Sequence, residues 1–147
     1  MNIKLREATN KDFDFAFEAK RQAMGPHIIS KWGWDESYQL SLQQKRWSEK
    51  PWFIILMNDS PIGTVSIHHF ESHVRFGEFY LYSQYQNRCI GTQVLQEFLA
   101  QCDRDSKKVV LEYLKWNPVG SLYMRNGFKV TGENDIHYFM AREPNSH

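Results

Sequence analysis

The chain has 147 residues, 41% of them hydrophobic and 15% aromatic, with 18 Lys and Arg against 17 Asp and Glu for a net charge of +1. Bulky apolar groups at that density exclude a disordered chain, and the length suits a single domain that buries roughly two-thirds of its unfolded surface. So small a net charge, with no basic run and no acidic tail, gives no field that favours nucleic acid or an anionic membrane, and neither is expected as a partner.

Taken in chain order, Ile3 and Leu5 alternate with Lys4 and Arg6 as in a first strand. Thr9-Asn10-Lys11-Asp12 has the form of a helix start, a hydroxyl cap with a carboxylate three residues on. Phe13, Ala16, Phe17, Lys20, Ala23 and Met24 recur at helical spacing, and Gly25-Pro26 is expected to end that helix because proline cannot continue it. A second helix is expected from about Asp35 to Ser48, with Tyr38, Leu42 and Trp47 near one stripe. Trp52 to Met57 reads as a compact strand, Asn58-Asp59-Ser60-Pro61 as a turn, and Ile62 to Phe70 as the returning strand of a hairpin. Gly77 to Tyr82 is a further strand.

Ile90, Val94, Leu95, Phe98 and Leu99 then return to helical spacing just after Gln86-Asn87-Arg88. Lys107 to Trp116 is a strand, and Pro118 to Arg125 a short helix with proline in its first turn. Gly127 to Val130 and Ile136 to Met140 close the chain as two strands. The order β-α-α-β-β-β-α-β-α-β-β describes an α/β (α+β) domain over residues 1–147, with a mixed sheet and helices against it.

Cys89 and Cys102 have neither CxxC nor CxxH spacing, so a reducing compartment is expected and a disulfide framework or zinc site is not. Lys4, Arg6 and Glu7 interrupt the first seven residues where a leader needs an apolar stretch, and Phe53 to Met57 is far too short to span a bilayer. A cytoplasmic location is the expectation. His68, His69 and His73 cluster near one strand, but adjacent strand residues point to opposite faces, so no metal is expected there.

The segment Tyr85-Gln86-Asn87-Arg88-Cys89-Ile90-Gly91-Thr92 joins a strand to an amphipathic helix. A helix N-terminus presents unpaired N–H groups and the positive end of the dipole, which suits phosphate. Gly91 permits close backbone approach, Arg88 adds a charge and Thr92 a hydroxyl. An ordinary strand-to-helix connection with a cap explains the same residues.

Two motifs in register make the reading specific. Gln86-Asn87-Arg88-Cys89-Ile90-Gly91 resembles the Q/R-x-x-G-x-G/A signature of the GNAT acetyltransferase superfamily, preceded by the strand Glu78-Phe79-Tyr80-Leu81-Tyr82 as in that family. Leu111-Glu112-Tyr113-Leu114-Lys115-Trp116-Asn117-Pro118, followed by Leu122-Tyr123-Met124-Arg125-Asn126-Gly127-Phe128, is similar to the family's second signature. The resemblance implies the GNAT fold, a mixed sheet of about six to seven strands with about four helices, splayed between the fourth and fifth strands. It also implies acetyl-CoA as co-substrate, no metal, and direct acetyl transfer to a primary amine. The acceptor is a small molecule or a peptide or protein.

Roles follow from the resemblance residue by residue. Gln86, Asn87, Arg88, Cys89, Ile90, Gly91 and Thr92 bind the cofactor's pyrophosphate. Leu81 matches the position whose main chain pairs with pantetheine, and Phe79 and Tyr80 share that stretch. Tyr123 is the candidate acid for the departing thiolate, since a phenol within reach of the sulfur can protonate it. Asn117 is a candidate partner for the pantetheine amide, or a helix cap before Pro118. Glu112 and Glu78 are rival bases, of use if desolvation raises their pKa; water can equally drain the proton.

Trp32, Trp34 and Glu36 lie in the region that forms one wall of the family's acceptor site. Aromatics beside carboxylates suit a cationic amine there. His68 or His69 is a further candidate for that wall. Cys89 stands where the signature has its first glycine; with negative φ the substitution is mild, with positive φ it costs roughly a kcal/mol or more. An acyl-CoA-binding module without turnover, or an unrelated α/β interaction domain, remain alternatives, and exposed sheet edges leave a homodimer open.

Overall fold

Along the described residues, seven strands and four helices follow one another in the expected order, in a computed structural model that describes residues 2–145 apart from the side chain of Lys31. They are β1 (Ile3–Glu7), α1 (Phe13–Lys31), α2 (Glu36–Glu49), β2 (Trp52–Met57), β3 (Ser60–His69), β4 (His73–Leu81), α3 (Ile90–Arg104), β5 (Lys108–Leu114), α4 (Gly120–Arg125), β6 (Lys129–Glu133) and β7 (His137–Arg142). The sheet takes the strands in the order β1-β2-β3-β4-β5-β7-β6. β1, β2 and β7 pair antiparallel with their neighbours, whereas β4 and β5 run parallel, which demands a crossover, and α3 supplies it. The parallel register joins His73–Arg75 to Lys108–Val110, the N-terminal ends of both strands.

The chain divides into two compact units, one holding residues up to Ile67 with Glu78–Arg88, the other His68–Gly77 with residues from Cys89 onward. The first buries Ala16, Phe17, Met24 and Ile28 of α1 together with Trp52, Ile54, Ile55, Ile62 and Val65 of the strands. Phe13 stands edge-on to Trp47 at 5.5 Å, and Trp47 lies 5.2 Å from Trp52. The second buries Val74, Phe76, Val94, Leu95, Leu99, Val109, Leu111, Phe128 and Met140. In it Arg142 forks onto Asp103 at 2.8 and 3.0 Å and donates to the Asn126 carbonyl, fastening β7 to α3 and to the end of α4. Among the described residues no helix is long and apolar enough to cross a membrane.

The first helix does not stop at Gly25-Pro26. Pro26 removes one N–H, at a cost of about 3 kcal/mol, but Met24 and Ile28 on either side of it are buried and contribute about 1.5–3 kcal/mol each. The helix ends instead at Gly33, whose φ of +79° suits glycine and whose N–H reaches the Ile28 carbonyl at 3.1 Å. α2 starts where expected, with the Asp35 carboxylate accepting from the Tyr38 N–H at 3.0 Å. Its inward stripe differs: Tyr38 is exposed, while Gln39 and Gln43 are buried. β4 begins four residues before the expected Gly77, because Val74 and Phe76 are buried on either side of exposed Arg75 in strand alternation. Pro118 precedes α4 rather than entering its first turn, with Val119 as the cap.

Candidate active site

β4 changes character at Glu78. Buried positions alternate at Val74, Phe76 and Glu78, then resume at Leu81. The break is a left-handed backbone at Glu78 (φ +47°), an unfavourable conformation for a residue with a side chain, costing roughly 1–2 kcal/mol. Its partners hold it there. The Glu78 carbonyl accepts from the buried Thr64 hydroxyl at 3.0 Å. Its carboxylate takes Lys50 Nζ at 2.9 Å and Arg46 Nη1 at 3.6 Å on Oε1, and the Tyr80 hydroxyl at 2.9 Å on Oε2. Burial alone would raise this carboxyl, but the cations outweigh it and hold Glu78 below the usual carboxylate range. The desolvated, high-pKa base that the sequence suggested is therefore not what the site contains.

Just beyond the kink, β3 meets β4 closely. A Cβ on Gly63 would stand 2.2 Å from the Tyr80 carbonyl oxygen and 3.0 Å from the Leu81 Cα, so only glycine fits this crossing. Phe79 and Tyr80 are half-buried, and Leu81 is buried. The Leu81 carbonyl is occupied by the Gln86 side-chain N–H at 2.8 Å. Gln86 thus braces the strand end. The turn that follows is tied down by α1: the Gln22 side-chain oxygen accepts from the Ser83 N–H at 2.8 Å, and the Tyr82 hydroxyl donates to the Phe15 carbonyl.

Asn87 (φ +58°) and Cys89 (φ +62°) are both left-handed, one on each side of Arg88. A left-handed backbone at a helix cap is a conformation that glycine adopts more readily than cysteine does. The first N–H groups of α3, those of Ile90, Gly91 and Thr92, have no acceptor within the helix. The donor set fits a pyrophosphate. Arg88 is exposed and its guanidinium donates to the Gln84 carbonyl at 3.2 Å, which keeps the charge beside the turn. Cys89 is exposed at the cap with the positive φ that favours glycine, so this departure from the signature is the costly one. Cys102 is buried, and burial pushes its thiol up to about 11.

In the second unit Tyr123 is buried, with its ring 6.3 Å from Phe76, 6.0 Å from Tyr113 and 5.6 Å from Phe128. Burial first, and the neighbouring Tyr113 second, push its phenol well above the ordinary tyrosine value, so it keeps its proton at neutral pH. The glycine of the second signature, Gly127, has φ +92° and ends α4, directing Phe128 into the core. Asn117 accepts the Val119 N–H at 3.1 Å on its side-chain oxygen, the capping role weighed for it. Glu112 is exposed and bridges to Arg75 at 3.0 Å. The desolvation that base work by Glu112 requires is absent.

The acceptor-wall candidates have partners of their own. Arg21 forks onto Glu36 at 2.7 and 2.5 Å, the Trp34 N–H donates to the same carboxylate at 2.8 Å, and the guanidinium lies 5.3 Å from the Trp34 ring. The cation such a corner suits is already supplied by the chain. Trp32 is exposed. His68 lies 4.2 Å from Phe70, which in turn stacks on His73, so its ring belongs to the β3–β4 turn at the N-terminal end of β4. Among the described residues no group of His, Cys, Asp and Glu could hold a metal ion.

Sequence reasoning missed the residues around Glu78. Lys20 is 3% exposed and Gln43 fully buried, with Gln39, Arg46 and Lys50 alongside. Burial, then repulsion by Arg46 and Lys50, push the Lys20 ammonium down to about 8, against the pull of Glu78. The signal was present: Gln39, Gln43, Arg46 and Lys50 recur at helical spacing. Nothing in their polarity marked that face as the inner one.

The comparisons with known proteins agree with this geometry. The family model described as acetyltransferase (GNAT) domain matches residues 48–130, more than half of the chain. The chain belongs to that family. Among solved structures it is similar to the PaiA N-acetyltransferase of Thermoplasma acidophilum in complex with coenzyme A, with a TM-score of 0.77 and 19% identity over 97% of this chain and 99% of that one. An acetyltransferase from Thermus thermophilus gives 0.75 at 14% identity over 97% of each chain. The ribosomal-protein-S18-alanine N-acetyltransferase of Escherichia coli gives 0.68 at 15% identity, over 99% of this chain and 96% of that one. At these identities the likeness speaks to the fold. No curated protein matches the chain.

Proposed function

We propose that the protein is an N-acetyltransferase that moves the acetyl group of acetyl-CoA directly to a primary amine. The observation that carries this reading is the pair of left-handed residues, Asn87 and Cys89, that lead from the end of β4 into the N-terminus of α3. Acetyl-CoA supplies an activated acyl carbon and a thiolate leaving group. The N–H groups of Ile90, Gly91 and Thr92, with the Thr92 hydroxyl and the Arg88 charge, hold the pyrophosphate. The main chain at Leu81 pairs with pantetheine, and the Leu81 N–H is the donor for the oxyanion that develops on the carbonyl; Phe79 and Tyr80 flank it, and Asn117 is a pantetheine donor.

As the amine nitrogen bonds to the acyl carbon and the carbon–sulfur bond breaks, Tyr123 gives its proton to the sulfur. Burial keeps its phenol protonated as the step begins, although it also makes the phenol a weaker acid. Glu78, held ionised by Lys50 and Arg46, lacks the profile of a strong base, and Glu112 is paired with Arg75 at the surface. The proton that the attacking nitrogen carries therefore leaves through water, and water returns one to the Tyr123 phenolate, which closes the cycle. The strain at Cys89 favours a second reading, an acyl-CoA-binding module without turnover. Release of free thiol from acetyl-CoA in the presence of polyamines, amino acids, aminoglycosides and peptide N-termini separates the two. Thiol release that depends on one amine class supports the enzyme, and coenzyme A binding without release by any of them leaves the module.

A further inference from the structure

Two cations in the first unit pair with a single carboxylate, and the charge of a third, Lys20, acts on it at longer range. Arg46 of α2 and Lys50 at its C-cap pair with Oε1 of Glu78, and Tyr80 occupies Oε2. Lys20 of α1 lies close enough to all three charges to feel them. Its ammonium is buried and, among the described residues, makes no hydrogen bond. The same is true of the Gln39 side-chain oxygen and of both the nitrogen and the oxygen of the Gln43 amide. By contrast the buried Thr64 hydroxyl and Glu78 carboxylate of this unit are hydrogen-bonded. Gln39 and Gln43 stand one helical turn apart on the inner face of α2, so the orphaned groups belong to one stretch of that face and to α1.

The chemistry of the orphans defines what completes them. Two positive charges are left over after Glu78, which disfavours a cation and favours an anion. Lys20 and the Gln43 nitrogen are donors, as a carboxylate requires. The Gln39 and Gln43 oxygens are acceptors, for N–H groups on the same molecule. We propose that this buried cationic cluster binds a carboxylate of the acceptor, so that the substrate class is an amine that also carries a carboxylate, as an amino acid does. The proposal rests on the acetyl-transfer reading and names the acceptor for it.

Thermal melts with glutarate test the anion site directly. Glutarate raises the Tm of the wild type, saturably, and the rise is lost in Lys20→Met and in Gln43→Leu. An equal rise in wild type and variants, or no rise in any of them, overturns the site whatever the turnover. Thiol release with α-amino acids and the matching carboxamides tests its use. The acids exceed the amides by about tenfold or more in kcat/KM, and Lys20→Met erases the difference through KM, as loss of a charged hydrogen bond requires. Equal use of acids and amides by a protein that binds coenzyme A overturns the inference while leaving acetyl transfer intact. Failure to bind coenzyme A overturns the transfer reading, and the melts then decide the anion site alone.

Discussion

Lys50 Nζ lies 2.9 Å from Glu78 Oε1, joining the C-cap of α2 to the left-handed kink of β4. The bond does two things. It keeps a carboxylate ionised inside the unit, and it helps fix a backbone conformation that Glu78 would not otherwise adopt. Glu78→Gln preserves shape and removes the charge, leaving Lys50, Arg46 and Lys20 without a counter-ion. Breaking a fully buried pair costs 3–5 kcal/mol; Lys50 and Arg46 keep about a quarter to a third of their surface, so about 2 kcal/mol is expected here. Urea unfolding measures it. A loss below about 0.5 kcal/mol, the range of ordinary surface substitutions, contradicts the role assigned to the pair.

Lys20 sets a pH dependence of opposite sense to that of a lysine held in a salt bridge. Its folded value of about 8 lies below the ordinary 10.5, so between those pH values the unfolded chain holds more protons than the folded one. Stability from this group therefore rises as pH climbs from about 8 to about 10.5, and is lowest below 8 where the buried ammonium stays charged. The groups that face it are Arg46 and Lys50 from α2 and Glu78 from β4. Lys20→Met removes the rise and is more stable at pH 7 by about 1–3 kcal/mol. Unfolding of both proteins across that window gives the difference, and parallel curves for the two contradict it.

Cys89→Gly tests the cofactor turn. Relief of the left-handed strain is worth about 1–2 kcal/mol, against the roughly 0.5–1 kcal/mol that glycine adds to the freedom of the unfolded chain, so the variant gains slightly in stability. It binds coenzyme A at least as tightly as the parent. Alkylation of the exposed Cys89 thiol with a bulky maleimide blocks that binding. Weaker binding by the glycine variant means that the cysteine makes a contact with the cofactor.

Tyr123→Phe leaves the ring contacts with Phe76, Tyr113 and Phe128 in place and removes only the hydroxyl. Turnover falls by about 100-fold or more, the scale of general acid catalysis, with little change in coenzyme A affinity. Single-turnover thiol release measures the step. A variant at full rate is incompatible with Tyr123 as the acid.

The order of strands and helices was legible because each long element carries its own periodicity, α3 and β2 most clearly. So were the two signatures, since Gly127 and the turn before α3 answer to backbone requirements that recur along a sequence. Other features depend on partners distant in the chain. Pro26 marks a helix end locally, and only the burial of Met24 and Ile28 overrides it. Trp34 and Glu36 form a cation site, but Arg21, 15 residues before Glu36, already fills it. Glu78 gave no hint of a left-handed backbone, which sequence reveals only where glycine or asparagine stands. The stripe of Gln39, Gln43, Arg46 and Lys50 has the polarity of a solvated face and is turned inward. Hydrophobic patterning is blind to a buried polar site of that kind.

The measurement that bears most directly on acetyl transfer is a calorimetric titration of the wild-type protein with acetyl-CoA. Saturable one-to-one binding, abolished by alkylation of Cys89, is the result expected. The absence of any binding at millimolar acetyl-CoA would contradict the account at its root.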